Sequence, residues 1–115
     1  MSRRNRSGVA AGRRARAAAF AALGDETRLA LVAKLCCGRP HSISQLTKGS
    51  GVSRQAITKH LRVLEEAGIV HGIQQGRENR FAFDPRPMAG IREYLDQVSE
   101  QWDQALARLK AFVEE

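Results

Sequence analysis

Cysteine is scarce in this chain of 115 residues: there are two, adjacent at Cys36 and Cys37. Two are too few for a disulfide framework. Neighbours on a helix point about 100° apart, which makes a shared metal or a bridge between them awkward. No run of about 18 apolar residues occurs, so no segment is a candidate membrane-spanning helix. Acids are missing before Asp25, a trait shared with organellar transit peptides. Arg13, Arg14 and Arg16 interrupt the apolar core that a secretory signal would need. A Gly-rich phosphate loop, paired catalytic carboxylates and a Ser/His/Asp set at useful spacing are all lacking, which argues against an enzyme. The expectation is a soluble cytoplasmic binding protein with no cofactor.

What the chain has is positive charge. Its formal net charge is +7, with a pI near 10.4, which favours a polyanionic partner. The charge is uneven. Residues 1–16 hold six Arg and no acid, residues 17–90 carry a net +4, and residues 91–115 a net −3. Residues 1–12 show no apolar periodicity and read as a disordered basic arm, leaving residues 13–115 as one domain.

The most informative stretch is 42–83. Ser42 followed three residues later by Gln45 is a capping box that opens a short helix. Gly49-Ser50-Gly51 permits a sharp reversal. Ser53 then suits the N-cap of a second helix, and Gly68 its left-handed end. In that second helix Ile57, Leu61 and Leu64 recur at i, i+4 and i+7, a buried stripe. Arg54, Gln55, Thr58, Lys59 and Arg62 fall on the other side, and none is acidic. Arg and Lys suit phosphates and guanine edges, Gln suits adenine, and Thr suits either a base edge or a methyl group.

Residues 69–75 and 80–84 read as strands around a loop at 76–79. Ile69, His71 and Ile73 alternate on one strand, Phe81 and Phe83 on the other. A hairpin directly after such a helix is a wing, with Arg77 and Arg80 placed to meet a nucleic-acid backbone or minor groove. The duplex-facing set is therefore Ser42, Ser53, Arg54, Gln55, Thr58, Lys59, Arg62, Arg77 and Arg80.

The rest reads as helix. Residues 13–23 are Ala-rich, with Phe20 and Leu23 as the large apolar groups. Asp25 caps a helix over residues 26–37, with Leu29, Val32, Leu35 and Cys36 inward; Gly38 and Pro40 stop it. The bland role for Cys36 is that of a small core hydrophobe, while Cys37 lies at the helix end. Residues 91–113 form one long helix. Its Leu95, Val98, Trp102, Ala105, Leu109 and Phe112 make a heptad seam, which Ile91, Leu106 and Val113 widen. A stripe this wide needs a partner, with part of it on the first helix and part on a second copy, and Trp102 is its natural anchor.

Three segments together, 20–29 (FAALGDETRL), 53–70 (SRQAITKHLRVLEEAGIV) and 76–81 (GRENRF), resemble the ArsR/SmtB family of bacterial winged-helix repressors. The likeness runs over about residues 17–113. The ending 102–110 (WDQALARLK) is similar to the non-metal, autorepressor-like branch. The resemblance implies a mainly α fold with a small β-hairpin, a winged helix-turn-helix. It also implies a homodimer through the N- and C-terminal helices, using Phe20, Leu23, Leu95, Val98, Trp102, Leu106, Leu109 and Phe112. The implied function is a repressor acting on double-stranded DNA at an inverted repeat. The chain departs from metal-sensing relatives. Residues 44–47 hold neither Cys nor His, and the last helix has Asp96, Glu100 and Asp103 but no His, so no metal is expected at either familiar site. His60, on the second helix, suits a structural role or a phosphate contact better than ligation. The competing reading is a dimeric winged-helix module that binds protein or structured RNA.

Overall fold

A computed structural model describes residues 2–114 in backbone and residues 11–114 in side chain. Helix α1 spans Ser2–Leu23 and α2 spans Glu26–Leu35. A short strand β1, His41–Ser42, leads into α3, Ile43–Thr47, and α4, Arg54–Glu66. Strands β2, Val70–Gln75, and β3, Glu78–Phe83, form the hairpin, and α5 spans Arg86–Glu114. The sheet is antiparallel in the order β1-β3-β2. The fold class is as expected, mostly helical with a small sheet, but β1 was not foreseen. Two residues pairing His41 with Phe81 and Ser42 with Arg80 leave no period to read in a sequence.

Local chemistry explains most boundaries. Asp25 caps α2 by accepting from the Arg28 backbone N–H at 3.0 Å. Ser42 and Gln45 form the full reciprocal capping box at α3, with bonds of 3.1 and 2.8 Å. Ser53 Oγ accepts from the Ala56 N–H at 3.1 Å and starts α4. Helix α4 ends in a complete Schellman motif. Ile69 N donates to Leu64 O at 3.0 Å and Gly68 N to Glu65 O at 2.9 Å, with Gly68 at φ 77 as the left-handed residue this geometry requires.

The core is one cluster: Ala19, Ala22, Leu31, Leu35, Leu46, Ile57, Leu61, Leu64, Ile69, Val70 and Ile91. The stripe Ile57, Leu61 and Leu64 lies in it as expected. On α2 the buried pair is Leu31 and Leu35, with Val32 partly buried, whereas Leu29 is 53% exposed and Cys36 is exposed. Leu35 and Val32 thus lie inward as expected, while Leu29 and Cys36 turn outward and Leu31 takes the inward place. Leu31 and Leu35 are also spaced i, i+4, so periodicity alone does not choose Leu31 over Leu29 and Cys36. His71 is half-exposed, 3.9 Å from Asp84, and does not join the apolar face with Ile69 and Ile73.

Four boundaries differ from expectation. Helix α2 stops at Leu35 rather than residue 37. Helix α1 begins at Ser2 rather than residue 13, so its backbone runs back through the segment expected to be disordered. Arg and Ala are strong helix formers and no proline interrupts them. The side chains of residues 2–10, including Arg3, Arg4 and Arg6, lie outside the described residues, as does Met1. The hairpin loop contracts to Gly76-Arg77, because Gln75 already pairs with Glu78. Gly76 has φ 62 and Arg77 stays negative, as a two-residue II′-type turn requires. Helix α5 starts at Arg86, five residues early. Asp84 Oδ1 accepts from the Arg86 N–H at 3.0 Å, and Pro87 sits in the first turn, where no N–H is needed.

From Arg92 onward α5 leaves the body of the domain, and of its residues up to Glu114 only Val98 is even half-buried. Leu95, Trp102, Leu106, Leu109 and Phe112 are uncovered, Trp102 being 63% and Phe112 78% exposed. Phe20 on α1 packs edge-on against Tyr94 of α5, with ring centroids 5.8 Å apart, and the Arg16 guanidinium covers the Tyr94 ring at 4.7 Å. Leu23 is half-buried against the core. The expected interface residues therefore lie on α1 and α5, and all except Leu23 and Val98 are exposed.

Candidate nucleic-acid interface

Helices α3 and α4 join through a turn held by its own side chains. Ser50 Oγ donates to Thr47 O at 2.7 Å and accepts from Val52 N–H at 3.1 Å. Gly49 and Gly51 take φ of 76 and 71, which lets the backbone reverse without a Cβ clash. With Ile57, Leu61 and Leu64 fully buried beneath it, α4 presents its opposite face outward. Arg54, Gln55, Lys59 and Arg62 are exposed there, with Thr58 half-buried among them.

These side chains are not equivalent. Gln55, Lys59 and Arg62 have no hydrogen-bond or ion-pair partner among the described residues. Arg54 Nη1 donates to Ser44 Oγ of α3 at 3.2 Å, which leaves other guanidinium donors free. Thr58 Oγ1 donates back to Arg54 O at 2.9 Å, so its proton is committed to the helix and its oxygen is left only to accept. Ser53 is exposed but its hydroxyl caps α4. Ser42 is only 9% exposed, with its hydroxyl and N–H both engaged in the capping box. It lies under the motif rather than on its outer face. Ser44 was not singled out from the sequence; only its bond to Arg54 across the turn reveals it.

The wing is held to α4 by one hydrogen bond and by the chain itself, and a further bond closes its base. Glu65 Oε2 accepts from Gly72 N–H at 3.1 Å, Ile69 leaves the Schellman motif directly into β2, and Asp84 N donates to Ile69 O at 2.8 Å. At the wing tip Arg77 is exposed and unpartnered among the described residues. Arg80 differs: its Nε and Nη2 both donate to Glu78 Oε2, at 3.2 and 3.0 Å. Its charge is neutralised locally, so Arg77 is the stronger cation of the two for a phosphate.

Behind the wing, Asp84 is buried. Arg86 donates to it from the backbone and from the guanidinium. These bonds, the guanidinium ones foremost, hold its carboxyl well down, from the ordinary 3.8 to about 2. Asp25 is likewise lowered, chiefly by the Arg28 N–H that it accepts. Among the described residues no three His, Cys, Asp or Glu gather as a metal site would. Cys36 and Cys37 are both exposed thiols.

Residues 23–73 match the model of a helix-turn-helix domain. The chain is 36% identical over 88 residues to the HTH-type transcriptional regulator Rv2034 of Mycobacterium tuberculosis, covering 76% of this chain and 78% of that one. It is 36% identical to the solved ArsR-like transcriptional regulator from Rhodococcus sp. RHA1, with a TM-score of 0.69 over 91% of this chain and 95% of that one. The chain belongs to the ArsR family of winged-helix transcriptional regulators. This ArsR-family chain also shares its fold, at 18% identity and a TM-score of 0.64, with the homodimeric winged helix-turn-helix DNA-binding domain of Mb0332 from Mycobacterium bovis. That match covers 84% of this chain and 88% of that one. The protein is a transcriptional regulator with a helix-turn-helix DNA-binding domain. No helix among the described residues is long and apolar enough to cross a membrane.

Proposed function

We propose that this ArsR-family regulator is a homodimeric repressor, that it binds an inverted-repeat operator in double-stranded DNA, and that α4 of each copy enters a major groove. The observation that carries the reading is the outer face of α4. Gln55, Lys59 and Arg62 are exposed and unpartnered among the described residues, with Arg54 beside them and Arg77 on a wing bonded rigidly to the same helix. Gln55 and Arg54 suit base edges, and Lys59, Arg62 and Arg77 suit phosphates.

The dimer reading rests on α5. A helix with Leu95, Trp102, Leu106, Leu109 and Phe112 uncovered has an apolar surface that needs a partner. Its acidic character suits a face turned away from phosphate. A second copy supplies the same stripe, and two-fold pairing matches an inverted repeat whose half-sites lie about one helical turn apart. The solved M. bovis relative is a homodimer with the same fold. Tyr94 and Phe20 join α1 to this layer.

Selection of bound sequences from a random duplex pool tests the reading. The expected result is an enriched, imperfect palindrome whose affinity falls steeply with salt. Binding indifferent to sequence, or preference for structured RNA or a protein, would reject it. Placing the enriched sequence upstream of a reporter then separates repression from activation.

A further inference from the structure

We infer that Arg28 and His60 are positioning residues for operator binding: the pair sets the angle of the recognition helix relative to the dimer helices, and thereby the spacing of half-sites that the dimer accepts. The inference rests on the dimeric operator reading above.

Arg28 stands in the first turn of α2, at a junction of three helices. Its Nε donates to Ala22 O and its Nη2 to Ala21 O at 3.5 Å. These are among the last carbonyls of α1, beyond the reach of its i→i+4 ladder; Ala21 O also accepts from Gly24 N–H at 3.2 Å. A fixed cation there also suits the negative end of the helix. Its Nη1 lies 3.2 Å from His60 Nδ1 on α4. Guanidinium nitrogens only donate, so Nδ1 is the acceptor of this bond. Asp25, which caps α2 through the Arg28 N–H, places Oδ2 at 3.8 Å from the same Nδ1. One side chain thus ties the end of α1, the start of α2 and the middle of α4.

The rest of the inner face of α4 is Ile57, Leu61 and Leu64. Apolar packing is non-directional and leaves a helix some freedom to roll or slide. The Arg28–His60 bond is directional and so selects one orientation. Its partner at the other end is α1, whose Phe20 packs on Tyr94 of the proposed dimer helix α5. His60 has only 23% of its side chain exposed, and the Arg28 guanidinium is engaged with α1 and α4.

A protomer docking on one half-site is indifferent to the angle between α4 and α1. A dimer docking on two is not, because the error enters at both sites, and the second docking is intramolecular only if the geometry allows it. The test compares full-length wild type with Arg28→Lys, His60→Ala, His60→Gln and the double variant Arg28→Lys/His60→Ala. Each is titrated against the selected operator, the operator with one half-site scrambled, and operators with the spacer lengthened or shortened by a base pair.

Arg28→Lys keeps the charge but loses the fork. Arg28→Lys and His60→Ala are each expected to leave half-site affinity within about twofold, lower full-site affinity about tenfold or more, and flatten the spacer preference. His60→Gln, whose amide oxygen accepts in place of Nδ1, should recover much of the full-site affinity. The double variant should be no worse than the weaker single, because both act through one bond. Equal losses on full and half-sites, or a lower melting temperature with the wild-type ratio and spacer preference kept, would overturn the inference. A wild type without preference for the full site would overturn the operator reading itself, and this inference with it.

Discussion

Arg86 grips Asp84 from three donors: its backbone N–H at 3.0 Å, its Nε at 3.0 Å, and its Nη2 at 2.6 Å. The carboxylate is buried at the point where β3 passes into α5, and its own backbone N–H is bonded to Ile69. The wing and the long C-terminal helix are therefore joined through one charged pair. The folded state holds the Asp84 carboxyl below its ordinary range, so the folded state binds fewer protons than the unfolded one as acid is added.

Stability should accordingly depend on pH in a defined window. The contribution of Asp84 is fully present above its ordinary 3.8 and is lost as pH falls towards about 2. Denaturant titrations of wild type and Asp84→Asn should show a stability gap that is constant at neutral pH and closes across that window. A gap that does not change with pH would show that the pair does not hold the ionised form.

Base readout should separate from phosphate contact. Gln55→Ala is expected to cost about 1–3 kcal/mol on the selected operator and little on random duplex, if its amide pairs with a base edge. Arg77→Ala should weaken both duplexes and reduce the slope of log affinity against log salt by about one. Arg80→Ala should have a smaller effect on that slope, because Glu78 already neutralises the guanidinium. Salt titrations of the two wing variants side by side decide this ordering.

Trp102→Ala should act on assembly rather than on the fold. The side chain is exposed in a single protomer, so its removal leaves no cavity in the core. At an interface centre such a truncation costs about 2 kcal/mol or more. Sedimentation across concentration should show a shift towards monomer, and operator affinity should fall although no duplex-facing residue has changed. A variant that stays dimeric with full operator affinity would place the interface elsewhere.

Gly68→Ala tests the hinge between α4 and the wing. An added Cβ meets nothing closer than Pro87 Cγ at 3.9 Å, an ordinary contact, so crowding is not at issue. The backbone at φ 77 is: a left-handed conformation costs an L-residue about 1–2 kcal/mol. Urea unfolding should register that loss with an unchanged m-value.

Removing residues 1–12 should lower affinity at low salt and leave the preferred operator unchanged, because arginines on a flanking segment contribute through counterion release. The α1 residues that enter the core, Ala19 and Ala22, stay in place. A changed operator preference would mean that this segment reaches base edges.

Much of the fold was legible because its signals are local. The capping box at Ser42, the Ser53 cap, the glycine turn and the Gly68 stop each depend on residues within a few positions of one another. The stripe on α4 was legible for the same reason. The face of α2 was only partly legible: Leu35 and Val32 lie inward as expected, but the choice of Leu31 over Leu29 and Cys36 is made only by docking against the rest of the core. At the candidate site, the outer face of α4 could be read by elimination from its buried stripe. The pairing of Arg80 with Glu78 could not, because two residues apart on a strand they share a face but need not touch.

Sequence alone determined the caps at Asp25, Ser42 and Ser53, the Gly68 stop, the winged motif, the cationic outer face of α4 and the wide apolar stripe of the last helix. Each is set by hydrogen bonds or periodicities that close within a few residues. The tertiary structure decided which of those side chains remain available. Cys36 was turned out to the surface, Arg54 was bonded to Ser44 of the neighbouring helix, and Arg28 was carried across 32 positions to His60. Such choices depend on which helices meet and at what angle. That is settled by the burial of the whole core at once, and no local pattern carries it.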